Sequence, residues 1–361
     1  MYALPYFEHQ LVMYVTADDR SIFSTPFDIS SIPVVTKEQA LAEDRTKKLT
    51  TVTPTLKAPK TAPTKSSSGA VASASAVAQK YAQQLMEIPE IKGYGSLLKS
   101  SAVVGLTESE TEYVVSVIKH IFKEHIVLQY EVKNTLPDTV LEGVSVVATP
   151  ENEEELEEDF IIPAAKLGTN EPGTIYVSFT KVNKRASFPA GIFTNVLKFT
   201  TKEIDPTTGE PEDNGYDDEY QVEDLELTGS DYVIPAFAGN FSHIWEQIGA
   251  NGEEAEETLQ LSGVKSIAGE QISVGLRMDA NCFIDATEQL ARTLSLQPLE
   301  GTDVPISTTT HTLKLFGKTV AGGRVAANIR MAYSTKSGVT SKITVRSEDE
   351  GIGALMIESV A

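Results

Sequence analysis

The sequence predicts an antiparallel β-sandwich followed by a small antiparallel sheet with helices packed on it, behind a largely disordered N-terminal stretch. Three observations carry this. Residues 46–76 are dominated by Thr, Ser, Ala, Pro and Lys. From residue 107 the chain turns to Val-, Ile-, Tyr- and Phe-rich runs separated by Gly and Pro. From about residue 232 helical and strand periodicities alternate. The domains read as 1–106, a linker with short helices; 107–231, the sandwich; and 232–361, the mixed unit.

The first hundred residues hold 11 Lys/Arg and 9 Asp/Glu, whereas the rest hold 19 and 42. Segment 46–76 has too few large apolar side chains to offset its ordering entropy, so it reads as a disordered linker. Short helices flank it: "LPYFEHQLVMYV" on one side, and residues 77–88 on the other, where Val77, Tyr81 and Leu85 recur at i, i+4 and i+8 before Pro89.

In the sandwich, "YVVSVIKHIFKEHIVLQYEVKNTL", "GTIYVSFTKV" and "FTNVLKFTTKEI" have strand composition. Two acidic loops, 151–159 and 205–226, interrupt them. The second fails as a calcium loop. With Gly215 at the sixth place, Glu210 and Glu212 stand where Asp or Asn belong and Gln221 replaces the bidentate Glu.

The mixed unit opens with "NFSHIWEQIG". Phe241, Ile244, Trp245 and Ile248 share one helical face, Asn240 or Ser242 caps its start, and Gly249 ends it. A second helix, "ATEQLARTLSL", has Asp285 and Glu288 about its start in a variant capping box. In "RVAANIRMAYS" and "SKITVRSE" one face is apolar and the other carries Arg324, Arg330, Lys342 and Arg346. A small sheet covered by two helices follows.

A net charge of −21 opposes binding to nucleic acid or to an anionic membrane. One cysteine, Cys282, rules out an internal disulfide and favours a reducing compartment. No run reaches the length of a membrane span. His9, His120, His125, His243 and His311 show no metal-ligand spacing, and His120 and His125 point to opposite faces of one strand. "GKTVAGG" lacks the spacing of a phosphate loop. No catalytic residues, cofactor or metal are expected. What remains is recognition: Trp and Arg dominate interface hot spots, and Trp245 is either a core residue or an anchor.

Several segments, in order, resemble the C-terminal appendage of the coatomer gamma subunit family: "LTESETEYVV", "KHIFKEH" with "NTL", "EPGTIY", "KFTTKEIDPTTGEPEDNGYDDEYQVEDLEL", "NFSHIWEQIG", "THTLKLFGK" and "VRSEDE". "PFDISSIP" and "EIPEIKGYGSLLKSS" are similar to the hinge before it. The resemblance implies an immunoglobulin-like β-sandwich followed by an α/β platform. It implies a non-enzymatic, cytoplasmic component of the COPI vesicle coat, peripheral on Golgi membranes and coated vesicles and touching membrane only through the coat. The expected partners are the other coatomer subunits and an Arf GTPase-activating protein, and the transport steps are Golgi-to-ER and intra-Golgi. Trp245 falls on the family's platform tryptophan, and Arg330 and Arg346 on basic residues near its pocket. A clathrin-adaptor-like appendage, or another β-sandwich interaction scaffold, is the alternative. The family's helical trunk has no counterpart here, so the chain reads as a fragment or a truncated gene model. Segment 268–284 also has no counterpart and reads as a surface excursion.

Overall fold

The computed structural model describes the backbone of residues 68–360 except 183–187, 206, 262, 268–269, 275–280 and 335–337, and side chains from 77 onward except 261–283 and those same gaps. The predicted β-sandwich followed by an α/β platform is what it shows.

Sheet A of the sandwich has the order β1 (Lys99–Ser100), β3 (Tyr113–Ile121), β4 (His125–Asn134), β8 (Pro172–Lys181), β6 (Leu156–Ile162), with β2 (Val104–Gly105) also on β3. Sheet B has the order β10 (Tyr216–Leu227), β9 (Gly191–Glu203), β5 (Thr139–Pro150), β7 (Ala164–Leu167). Every ladder in both is antiparallel. Alternate residues such as Ile126, Leu128, Tyr130 and Val132 face sheet B and are fully buried. Tyr130 is the one polar tip among them. Its hydroxyl donates to Asn195 Oδ1 of β9 at 2.7 Å, and Asn195 Nδ2 donates to the carbonyls of Phe193 and Glu223. The polar atoms of Tyr130 and Asn195 are thereby satisfied across the sandwich.

The acidic stretch 205–226 is not all loop. Its second half is β10, an edge strand whose glutamates and aspartates point outward while Val222, Leu225 and Leu227 point in. Charge on an edge discourages pairing with another chain.

Residues 77–106, read from sequence as hinge, pack on the sandwich. Helix α1 (Ser68–Glu87) lies over the outer face of sheet A. Leu85 and Ile91 are buried there with Phe122 and Val127. Of the expected linker, 46–67 lies outside the described residues, and 68–76 belongs to α1. Ala-rich sequence favours helix strongly enough to override the linker composition. Sheet A is thus covered on both faces, which explains the continuous apolar runs of β3 and β4.

This also corrects the placement of the histidines. Phe122–Glu124 form a turn, so His120 and His125 lie on neighbouring strands and face the same side, toward α1 and Tyr94. His120 is fully buried between Ser100 Oγ (2.8 Å) and Gln129 Oε1 (3.1 Å), edge-on to Tyr81.

The platform sheet has the order β11 (Val233–Pro235), β16 (Thr310–Thr319), β17 (Arg324–Ser334), β18 (Gly338–Ser347), β12 (Glu253–Leu261), with β15 (Gln297–Pro298) on β16. Three helices cover it rather than two. Helices α3 (Asn281–Thr293) and α4 (Ile352–Glu358) bury Ala286, Leu290, Ile352 and Met356 against one face. Helix α2 (Phe241–Asn251) sits on the other. Helix α3 begins at Asn281, so Asp285 and Glu288 lie within it and form no cap. The 268–284 segment contributes β14 (Glu270–Val274), which pairs with β13 (Gly263–Ile267) as a separate hairpin, and the first turn of α3.

Sandwich and platform share one apolar cluster. At their junction, the turn Gly229–Tyr232 receives lysines from three strands of sheet A. Buried Lys119 reaches Asp231 Oδ2 at 2.6 Å and the Glu226 carbonyl at 2.7 Å. Lys99 reaches the carbonyls of Ser230 and Val233, each at 2.6 Å. The Lys181 ammonium stands 5.1 Å from the centre of the Tyr232 ring.

Burial holds His120 neutral, lowering its pKa from the ordinary value to about 4 against the pull of its bond to Gln129. The unfolded chain takes up a proton near pH 6.5 that the folded chain refuses until about pH 4. Stability is therefore full above pH 6.5 and is lost as pH falls to about 4. Titrating the urea midpoint of the protein and of His120→Gln checks this. The variant should lose a pH-dependent component of up to roughly 3 kcal/mol across that window.

Candidate functional site

The site is built on α2. Asn240 caps it, accepting the His243 N–H at 2.9 Å. The helix does not stop at Gly249 but continues to Asn251, with Gly252 as its cap. Gly249 has another reason to be glycine: a Cβ there would lie 2.4 Å from Arg346 Nη1. The backbone of α2 thus approaches a guanidinium rising from the sheet beneath.

Phe241 and Ile248 are buried against Leu299, Phe316 and Ala326, seating the helix. Ile244 and Trp245 are half-buried. The Trp245 ring stacks on Phe241, with centroids 5.5 Å apart and planes at 23°. Arg346 holds it from below. Its Cζ is 4.3 Å from the centre of the indole, and Nη1 donates to the Trp245 carbonyl at 2.9 Å. Glu254 of β12, directly across the ladder, accepts from Arg346 Nε at 2.5 Å. The tryptophan is therefore held by Phe241 and Arg346 together while the residue stays partly exposed.

Arg330 lies on the same face of the sheet but not beside Trp245. It pairs with Lys342 and Thr312, whereas Arg346 pairs with Ala326, four residues back along β17. At strand rise that separates Arg330 from the Arg346 level by about 13 Å. Arg330 is exposed and makes no ion pair among the described residues. The structure brings Trp245 and Arg346 together and leaves Arg330 on open sheet.

The face read as basic is in fact charge-paired. Arg324 meets Glu348 at 2.6 Å and Gln247 at 2.8 Å. Lys342 meets Glu256 at 2.7 Å. Lys314 meets Glu300 at 2.6 Å, and Glu300 also accepts the Phe241 N–H at 3.0 Å. The Lys342 hydrogen bond holds the exposed Glu256 carboxyl below the usual range, as Lys314 does for Glu300. Glu254 and Glu256 were legible as alternate residues of "GEEAEETLQL", a strand that sets two carboxylates opposite the basic residues of β18. Among the described residues no three His, Cys, Asp or Glu gather as metal ligands, and no helix is long and apolar enough to cross a membrane.

Because Trp245 is the only tryptophan, its emission reports this site alone. Glu254→Ala frees the Arg346 guanidinium to leave the ring. The emission should shift in wavelength and intensity, while stability falls by no more than about 1 kcal/mol, as for an exposed ion pair. An unchanged spectrum would show that Glu254 does not hold the arginine.

Two family models cover most of the chain. Residues 79–228 match the coatomer gamma subunit appendage platform subdomain, and residues 230–360 match the coatomer subunit gamma-1 C-terminal appendage platform. The probable coatomer subunit gamma of Schizosaccharomyces pombe is 37% identical over 99% of this chain and 37% of its own length. Coatomer subunit gamma-2 of Oryza sativa subsp. japonica is 38% identical over 93% of this chain and 34% of its own. Coatomer subunit gamma of Saccharomyces cerevisiae is 33% identical over 96% of this chain and 37% of its own. The chain thus spans about a third of the length of these relatives. Among solved structures, the yeast GGA1 GAE domain overlays at a TM-score of 0.24 and 8% identity, over 35% of this chain and 98% of that one. The order of the matched motifs, the two family models and the identity along nearly the whole chain agree: it belongs to the coatomer gamma subunit family and carries its appendage region.

Proposed function

We propose that the chain is a recruiting module of the COPI coat, with Trp245 as the anchor for accessory proteins and an Arf GTPase-activating protein as its regulatory partner. The supporting observation is the propped, half-exposed indole of Trp245. An aromatic held in place before binding gives up little entropy when a ligand covers it. Arg346 belongs to the seat and is committed to Trp245 and Glu254, so a ligand's acidic groups are better met by Arg330 along the open face. The ligand is then an acidic peptide with an aromatic or aliphatic side chain for the indole. Such a peptide orders as it binds, so one site works in roughly the micromolar range, and many appendages on one coat supply avidity.

This assigns no chemistry to the chain. It places the protein in the cytoplasm, peripheral on Golgi membranes with the other coatomer subunits, in Golgi-to-ER and intra-Golgi transport. The sandwich and platform, about 107–231 and 232–361, work as one appendage behind the hinge.

Trp245→Ser tests the anchor. The residue is only half-buried, so stability should fall by about 1–2 kcal/mol. Binding to the Arf GTPase-activating protein, by calorimetry, should weaken by about 2 kcal/mol or more. Normal binding by a folded variant would refute the assignment. Capture of clathrin accessory proteins, with neither coatomer subunits nor Arf regulators, would favour the adaptor alternative.

A further inference from the structure

The sandwich does not close along one side. Strand β7 pairs with β5 only from Leu141 to Val144. From Ser145 to Pro150, β5 has a ladder partner on one side alone among the described residues, β9. Opposite, β6 is the edge of sheet A and, among the described residues, pairs only with β8. Between these edges lies a cleft of about 690 Å³. Its floor is apolar: Val147 and Pro150 are half-buried over buried Leu156 and Phe179, and Val182 at the end is 54% exposed.

Among the described residues the rim has one sign of charge. Glu153, Glu154, Glu157 and Glu158 are all exposed around the cleft. Among the described residues no Lys or Arg lines it, and none of the four is ion-paired. Four neighbouring carboxylates repel one another, and a ligand bringing cations relieves that repulsion. The same carboxylates keep a second copy of this acidic chain off the free edges. Free backbone on the walls, an apolar floor and an acidic rim together specify one kind of occupant.

We propose that this cleft takes an extended segment of a partner protein in which Lys or Arg alternates with small apolar residues, added as a strand to the free edge of β5. Alternate side chains of an added strand point to opposite faces. One set enters toward Leu156 and Phe179, and the other meets the glutamates. Main-chain bonds give the affinity and the alternation gives the selectivity.

The probe is a fluorescent synthetic peptide alternating lysine with valine, bound to the full chain and read by anisotropy. Glu153→Lys with Glu157→Lys should weaken binding roughly tenfold or more. Glu212→Lys with Asp213→Lys, the same charge change near the far end of β5, should leave it within about twofold. Methylating alternate backbone nitrogens of the peptide keeps its charge but removes its ladder bonds, and should abolish binding. Circular dichroism confirms that each variant is folded. Equal loss from both pairs, full binding of the methylated peptide, or no binding by the unmodified protein would each overturn the proposal. Trp245→Ser should bind the peptide normally, and loss there would move the peptide to the platform and equally overturn it.

Discussion

Three lysines of one sheet converge on one turn, and the rest of the molecule is arranged about that contact. Lys99, Lys119 and Lys181 come from β1, β3 and β8, and the turn Gly229–Tyr232 offers a carboxylate, carbonyls and an aromatic face. Taking ammonium groups out of water is expensive, and burial lowers the pKa of both Lys99 and Lys181 to about 8. The turn compensates. Asp231 accepts from Lys119 and from the Thr228 N–H, and the carbonyls of Ser230 and Val233 take Lys99. Such a cluster adds little net stability over an apolar one, but removing one partner costs about 3–5 kcal/mol. Its effect is positional. Lys119 occupies a core-facing slot between Val117 and Ile121, where Asp231 of the turn and the Glu226 carbonyl just before it satisfy the ammonium.

The turn in turn fixes the platform. Gly229 lies so close to α4 that a Cβ would stand 2.7 Å from the Leu355 carbonyl carbon. The Tyr232 hydroxyl donates to the Pro189 carbonyl, and its ring joins the shared core. From there β11 enters the platform sheet and α2 follows. Glu253, at the start of β12, accepts the N–H groups of Gly351 and Gly353 at the head of α4, while its neighbour Glu254 holds Arg346 under Trp245. The presentation of the indole thus traces back through consecutive contacts to the junction.

Much of this was legible in sequence, and the failures share a cause. The strand runs, the Trp245 helix and its Asn240 cap follow from periodicity and capping chemistry, which are local. Gly249 misled because a helix-ending glycine and a glycine that admits a neighbouring side chain look alike until Arg346 is placed. His120 and His125 were set on one strand because "IFKEH" contains no Gly, Pro or Asn to announce its turn. Helix α1 reads as tail because its apolar positions are sparse; Leu85, with Ile91 beyond the helix end, suffices only because Phe122 and Val127 await them at sheet A. At the candidate site Trp245 and Arg346 were legible and their adjacency holds. The separation of Arg330 was not, since only strand register shows which basic residues share a level.

The central claim is that sandwich and platform, locked at the lysine turn, form one cooperative body that presents Trp245. Thermal unfolding of the protein and of Asp231→Ala, followed by Trp245 emission for the platform and by calorimetry for the whole chain, tests it most directly. Both probes should report one transition, with both midpoints falling together in the variant. A platform transition separate from that of the sandwich in the unmodified protein, or a variant whose two midpoints stay where they were, would contradict it.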